Sequence, residues 1–272
     1  MLKILATICI IGMATSSCTS KKASRTESSH EAEPELTMIV GTYTSGDSKG
    51  LYSFRFNEEN GTATALSEAE VENPSYLVPS ADGKFIYAVS EFSNDQAAAN
   101  AFAFNKEEGT FRLLNTQKTE GEDPCYIITN GSNVITANYS GGSISVFPID
   151  KDGSLLPAST VVKFKGSGAD KERQEKPHLH CVRITPDGKY LFADDQIHKF
   201  IIHPNAKPDN EEILLKEGNP ASYKVEAGSG PRHLTFAPNG HYAYLINELS
   251  GTVIAFEYND GNLKEIQTIA AD

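Results

Sequence analysis

Two repeated positions in this chain carry side chains that are suited to chemistry. Four stretches of similar sequence each contain a tight turn at a glycine, and alignment on these glycines superimposes Ser75, Cys125, His180 and Arg232. A second shared position, about one strand later, holds Glu91, Tyr139, Gln196 and Glu248. A histidine can take up a proton near neutral pH, and an arginine can bind an anion. Together they predict a polar, partly cationic site for a small anionic or oxygen-rich ligand.

His178 and Glu248 extend this candidate site. His178 lies two residues before His180 and shares its face, because side chains alternate along a strand. Arg232 and Glu248 belong to one hairpin and are expected to lie within reach of each other. A simpler interpretation stays open, in which Arg232 and Glu248 form only a cross-strand ion pair and His180 only fills the channel. The segment 166–176, just before His178, is either a flap over this site or a disordered loop.

No metal or cofactor is predicted. His178 and His180 share a face, as two histidine ligands of a metal would, but no third ligand is evident in the sequence. The formal charge of −12 also repels phosphate backbones, which excludes nucleic acid as an expected partner. The remaining expectation is a small-molecule ligand.

The repeats themselves predict how the shared positions come together. Their turn glycines are Gly83, Gly131, Gly188 and Gly240. They lie about 50 residues apart, a period typical of β-propeller blades. Each repeat has strands that alternate with turns and no helical period, so the fold class is all-β. First strands line the channel of a propeller, which would place equivalent positions in a ring around its mouth.

The N-terminal residues have the pattern of an export signal. Lys3 precedes an apolar run from Ile4 to Met13, small residues follow, and then comes Cys18. Residues 1–18 therefore resemble a lipoprotein signal that ends at a lipidated Cys18, although a plain secretory peptide remains an alternative. Residues 19–37 are too polar to fold and form a flexible tether. We expect an exported chain, periplasmic or anchored in a bacterial envelope, that touches the membrane only through an N-terminal lipid.

Several phrases of the sequence resemble a known family. They are Val40-Gly-Thr-Tyr-Thr44, Asn73-Pro-Ser-Tyr-Leu77, Ala137-Asn-Tyr-Ser-Gly-Gly-Ser143, Pro177-His-Leu-His180 and Gly230-Pro-Arg-His-Leu234. Together they resemble the propeller-type 6-phosphogluconolactonase family, seven-bladed propellers that include the carboxy-muconate cyclases. The resemblance implies hydrolysis of a sugar lactone in glucose and pentose phosphate metabolism, with a lactone or sugar acid as ligand.

The resemblance also implies roles for the candidate residues. The cyclase branch combines a histidine, an arginine and a glutamate, which correspond here to His178 or His180, Arg232 and Glu248; its second arginine would fall beyond Asp272. Histidine would activate water and arginine would stabilise the oxyanion. Glu248 would orient that base or bind sugar hydroxyls. Substrate binding is assigned to Ser75, Tyr139 and Arg232.

The number of repeats departs from the family pattern. Seven blades need about 350 residues, whereas residues 38–272 supply four repeats and a partial one at 38–66 that lacks its innermost strand. We therefore expect an incomplete, C-terminally truncated propeller of about five blades. Two other functions stay open: a non-catalytic ligand- or protein-binding propeller anchored in the envelope, and an isomerase like the cyclases.

Overall fold

The computed structural model describes residues 7–11, 35–203 and 214–271. Throughout these ranges the regular structure consists of β-strands, and no helix occurs in them. The strands form five antiparallel sheets of four strands each. The predicted all-β class with about five blades is confirmed for this part of the chain.

Each sheet contains four strands that are consecutive in the chain. The first sheet contains β1 (Thr7–Ile11), β2 (Glu35–Gly41), β3 (Gly50–Asn57) and β4 (Ala63–Glu70). The second contains β5 (Leu77–Pro79), β6 (Phe85–Ser90), β7 (Ala98–Asn105) and β8 (Thr110–Lys118). The third contains β9 (Pro124–Thr129), β10 (Asn133–Asn138), β11 (Ser143–Pro148) and β12 (Thr160–Lys163).

The last two sheets follow the same order. The fourth contains β13 (Val182–Ile184), β14 (Tyr190–Ala193), β15 (His198–Ile202) and β16 (Leu215–Ser222). The fifth contains β17 (Pro231–Phe236), β18 (Tyr242–Asn247), β19 (Thr252–Asn259) and β20 (Asn262–Ala270). The strand order in every sheet is sequential, which is the meander of a propeller blade.

The predicted turn glycines join the first two strands of their sheets. Gly83 lies between β5 and β6 with a φ of +69°, a left-handed conformation that strongly favours glycine. Its amide donates to the Ser80 carbonyl at 2.9 Å, and the Asp82 carboxylate accepts from the Lys84 amide at 3.1 Å. An Asp-Gly turn therefore fixes the register of this hairpin.

The sheets pack face to face around the inner strands. The first strands β5, β9, β13 and β17 contact one another in succession, as the propeller prediction requires. Apolar clusters fill the spaces between sheets. One joins Ile135 and Val146 of the third sheet to Leu191 and Phe200 of the fourth.

The third and fifth sheets differ in how many faces are covered. Every residue of β10 and β11 is buried, because a sheet packs on each side. In β18 the burial alternates. Tyr242, Tyr244 and Ile246 remain 39%, 41% and 42% exposed on one face, while Leu245 is fully buried on the other. Among the described residues, the fifth sheet thus has a packed neighbour on one face only.

The first sheet differs from the sequence prediction. Residues 38–66 were expected to lack an innermost strand, but β1 pairs antiparallel with β2, with Thr7 opposite Gly41. This strand comes from the apolar run assigned to the signal, and its pairing partner is too distant in sequence for a local pattern to predict. Cys18 and residues 19–34 lie outside the described residues, so the predicted lipidation and this part of the tether stay predictions. Residues 35–37, the end of the predicted tether, belong instead to β2. No helix in the described ranges could cross a membrane.

Candidate functional site at the channel mouth

The repeated position of Cys125 and Arg232 coincides with irregular strand pairing. In the β17–β18 pair, Pro231 lies opposite Asn247 and His233 opposite Ile246, so Arg232 is an extra residue between them. The β9–β10 pair has the same irregularity at Cys125. A β-bulge of this kind re-aims a side chain. In these two sheets the repeated sequence position therefore corresponds to a β-bulge at the rim.

Arg232, Glu248 and His180 contact one another. Arg232 Nη1 donates to Glu248 Oε2 at 2.7 Å and to His180 Nδ1 at 3.2 Å. His180 Nε2 lies 3.3 Å from the same Glu248 oxygen. Because Nδ1 faces a donor and Nε2 faces a carboxylate, the neutral ring carries its proton on Nε2. The expected proximity of Arg232 and Glu248 is confirmed, and His180 lies beside both.

Arg173 brings a second guanidinium to this cluster. It lies on the 166–176 loop, and its Nη2 donates to Glu248 Oε1 at 2.9 Å. Lys176 anchors the end of the loop through a 2.8 Å hydrogen bond from Nζ to the Ser140 carbonyl. The loop thus contacts the Arg232 cluster at Glu248 and the third sheet at Ser140; its action as a flap stays a prediction. Arg173 was not predicted, because it is outside the repeats. The only sequence signal was the charged character of a loop next to His178.

The charges of the site favour a neutral histidine and an ionised glutamate. Burial, followed by the nearby Arg232 charge, lowers the pKa of His180 to about 3. Burial alone would raise the pKa of Glu248, but hydrogen bonds and charges from Arg173 and Arg232 outweigh it and lower that pKa. At neutral pH the site therefore holds two arginine cations around one carboxylate.

Tyr139 and His178 form the wall next to His180. The Tyr139 ring stacks on His178 with centroids 4.4 Å apart and lies 4.7 Å from the His180 ring. Both histidines therefore face Tyr139, as their spacing predicted. His178 Nε2 lies 3.1 Å from Glu175 Oε1. Its Nδ1 is buried and has no hydrogen-bond partner among the described residues, and its Nε2 is paired with Glu175.

Ser75 lies in a different cluster from these residues. Its hydroxyl donates to the Glu91 carboxylate, and Glu91 is the residue of the second sheet that occupies the repeat position of Glu248.

A cavity of about 310 Å³ opens beside the site, between the 166–176 loop and residues 224–231. His180, Arg232 and Glu248 do not line this cavity. Within the described residues, no group of histidine, cysteine and carboxylate side chains is arranged to hold a metal.

The fold and this site define a propeller of the lactonase type. The family model described as Lactonase, 7-bladed beta-propeller matches residues 37–272. The chain therefore belongs to that family, as its sequence motifs indicated.

Individual relatives agree with this assignment. The chain is 37% identical to the 6-phosphogluconolactonase of Bacillus subtilis over 85% of its own length and 66% of the relative's. A solved structure from Bacteroides fragilis is 68% identical, with a TM-score of 0.87, over 90% of this chain and 70% of that one. The periplasmic gluconolactonase PpgL of Pseudomonas aeruginosa is 33% identical, with a TM-score of 0.78, over 86% and 68% of the two chains. The chain thus spans about two thirds of the length of these relatives.

Proposed function

We propose that the protein hydrolyses a sugar lactone to its open-chain acid at the channel mouth. The cluster of Arg232, Glu248 and His180, joined by Arg173, is the observation on which this proposal depends. It combines cations for an oxygen that gains negative charge with a carboxylate that can accept a proton. The names of the Bacillus and Pseudomonas relatives, a 6-phosphogluconolactonase and a gluconolactonase, support the same reaction class.

The reaction requires attack of water on the lactone carbonyl. A C–O bond forms, a proton leaves the water, and the carbonyl oxygen becomes an oxyanion. The ring C–O bond then breaks, and its oxygen takes a proton to become a hydroxyl group. We assign stabilisation of the oxyanion to Arg232. Its Nη1 is held by Glu248 and His180, while its Nε and Nη2 groups make no hydrogen bond to the described residues.

Glu248 suits the role of base better than either histidine. Both ring nitrogens of His180 already face Arg232 and Glu248, whereas Oε1 of Glu248 accepts from the half-exposed Arg173 side chain, which a ligand can displace. His180 therefore positions these two groups. The positive charge of Arg173 lowers the basicity of Glu248. A ligand that binds Arg173 in place of Glu248 would restore the basicity of Glu248, and the Arg173 cation would then contact the ligand. This differs from the sequence interpretation, in which a histidine activates the water.

We further propose that the chain is exported and lipidated at Cys18. The apolar run before Cys18 supports this, as does the periplasmic location in the name of the Pseudomonas relative. An exported enzyme would meet unphosphorylated sugar lactones. Mass spectrometry of the protein from membranes should show an acylated Cys18 at the N-terminus. A free, unmodified N-terminus, or membrane retention of a Cys18→Ala variant, would contradict lipidation. Cleavage before Cys18 would also remove β1.

The test of the hydrolase proposal is lactone turnover by the purified protein and two arginine variants. We expect hydrolysis of glucono-δ-lactone above the spontaneous rate. Arg232→Ala should lower kcat/KM at least tenfold, which is about 1.4 kcal/mol of lost transition-state stabilisation. Arg112→Ala is the matched control, because Arg112 is exposed on the outermost strand β8 and should leave turnover unchanged.

The outcomes separate the candidate functions. Equal rates for Arg232→Ala and the unaltered protein would remove Arg232 from the site. Binding of gluconate without turnover would indicate a ligand-binding propeller. Turnover of a muconate lactone in place of a sugar lactone would indicate an isomerase like the cyclases.

A further inference from the structure

A second carboxyl group, Glu91, lies at the rim outside the Arg232 cluster. The Tyr43 hydroxyl donates to Glu91 Oε2 at 2.9 Å, and the Ser75 hydroxyl donates to the same oxygen. Among the described residues, Glu91 Oε1 accepts no hydrogen bond and no cation pairs with this side chain. One carboxyl oxygen is therefore held in place while the other is available to a ligand. We call these three residues the Glu91 cluster.

Asn73 fixes the position of the Glu91 cluster. Its carbonyl accepts from the Ser75 amide at 2.8 Å and from the Glu91 amide at 3.1 Å. Its side-chain Oδ1 accepts from the Thr44 amide at 3.1 Å, next to Tyr43. The residue has a left-handed φ of +47°, which asparagine tolerates better than most residues.

Gly41 is needed for the same arrangement. A Cβ atom there would lie 2.1 Å from the Pro74 carbonyl oxygen, so only glycine allows the two segments to approach. The sequence segments 40–44 and 73–77 contain none of the residues of the Arg232 cluster, and both position the Glu91 cluster. They hold one rigid group of three polar side chains.

The Glu91 cluster and Arg232 lie on the same rim, with Cys125 between them. The Cys125 thiol donates to the Leu179 carbonyl at 3.4 Å, immediately before His180. Burial, and then the Glu91 charge, raises the pKa of Cys125, whereas the Arg232 charge lowers it. The charges of Glu91 and Arg232 therefore both act on the Cys125 thiol. Because the first strands β5, β9, β13 and β17 contact one another in succession, the repeat positions of Ser75, Cys125, His180 and Arg232 follow one another around the channel.

We propose that the Glu91 cluster binds the hydroxyl groups of the sugar lactone whose carbonyl lies at Arg232. This inference rests on the proposed function and specifies its substrate class. A carboxylate oxygen accepts from a hydroxyl group, and the serine and tyrosine hydroxyls can donate or accept. The cluster contains no cation, so it favours a hydroxylated, uncharged part of the ligand over a phosphate. A site that hydrogen-bonds substrate hydroxyls rejects analogues that lack them.

The test compares a hydroxylated lactone with a plain one. KM and kcat are measured for glucono-δ-lactone and for δ-valerolactone with Glu91→Ala, Tyr43→Phe and the control Glu68→Gln, an exposed residue of β4. Glu91→Ala should raise KM for glucono-δ-lactone about tenfold, the effect of one lost hydrogen bond to a charged group. KM for δ-valerolactone should change less than about twofold. Tyr43→Phe should show a smaller shift with the same selectivity.

Binding of gluconate, measured by calorimetry, separates this inference from the proposed function. If the protein hydrolyses both lactones and Glu91→Ala affects them equally, the inference is overturned and the hydrolase proposal stands. If no lactone is hydrolysed but Glu91→Ala abolishes gluconate binding, the hydroxyl-binding site stands and hydrolysis is overturned. Absence of both turnover and gluconate binding in the unaltered protein would overturn both.

Discussion

Two hairpins in this propeller carry a glutamate at the same repeat position, at the end of the second strand. Glu248 in the fifth sheet contacts two arginines, at 2.7 and 2.9 Å. Among the described residues, the side chain of Glu91, directly after the second strand of the second sheet, contacts the hydroxyl groups of Ser75 and Tyr43 and no cation. Both carboxyl groups follow the second strand of their hairpin at the rim. The differences in their contacts and pKa therefore come from neighbouring side chains.

The surroundings shift the two proton affinities in opposite directions. Burial raises the pKa of Glu91, and the two hydroxyl donors only partly offset it. Burial acts on Glu248 as well, but the two arginines outweigh it and lower that pKa. Two carboxyl groups whose environments separate their pKa values are suited to different tasks. The different partners, and not the direction of the pKa shifts, underlie the proposed division of roles: Glu248 lies between two arginines that can hold the reacting carbonyl, whereas Glu91 lies among hydroxyl groups.

The sharpest test of this assignment replaces each glutamate by glutamine. Glu248→Gln should lower kcat for glucono-δ-lactone by about 100-fold or more, because general-base catalysis contributes about 10²–10⁴-fold. Glu91→Gln should leave kcat within a few-fold of the unaltered protein and act mainly on KM. Steady-state kinetics with circular dichroism as a fold control measure both effects. Equal losses of kcat in the two variants would contradict the division of roles between Glu248 and Glu91.

Arg173 is expected to have an intermediate effect. Its side chain is 49% exposed, so the lost contact is partly screened by solvent. Arg173→Ala should lower kcat/KM for a lactone roughly three- to tenfold, because the loss of a cation that binds the ligand outweighs the gain in basicity of Glu248. Lys171→Ala, on the same loop and remote from Glu248 in its contacts, is the control. An unchanged kcat/KM in Arg173→Ala would mean that the ion pair only anchors the loop.

Repeated residues were predictable from the sequence, and unrepeated ones were not. The turn glycines predict the hairpins, and alignment on them brings Arg232 and Glu248 into one hairpin, where the structure has their 2.7 Å contact. Arg173 occupies a loop that occurs once, so its position depends on tertiary contacts alone. The pairing of Thr7–Ile11 with β2 is similarly non-local. The bulge at Arg232 depends on strand register, which residue types alone do not determine.

The smallest expected effect concerns stability as a function of pH. The pKa of Glu91 is raised in the folded protein, so its contribution to stability is lost as pH rises from about 4.5 through the folded pKa. The pKa of Glu248 is lowered, so its contribution is present above about 4.5 and lost as pH falls through the folded pKa. The two contributions have opposite signs.

Melting temperatures at pH 4 and pH 7 should therefore move in opposite directions in the two glutamine variants. Relative to the unaltered protein, the Tm of Glu91→Gln should rise between pH 4 and pH 7, and that of Glu248→Gln should fall. Each change should be about 1–3 °C, because both side chains are partly exposed and solvent screens the contacts of Glu248. Glu68→Gln, at an exposed position of β4, supplies the baseline. Shifts of the same sign in both variants would show that the arginines do not distinguish the two carboxyl groups, and the division of roles between the two hairpins would then lose its electrostatic basis.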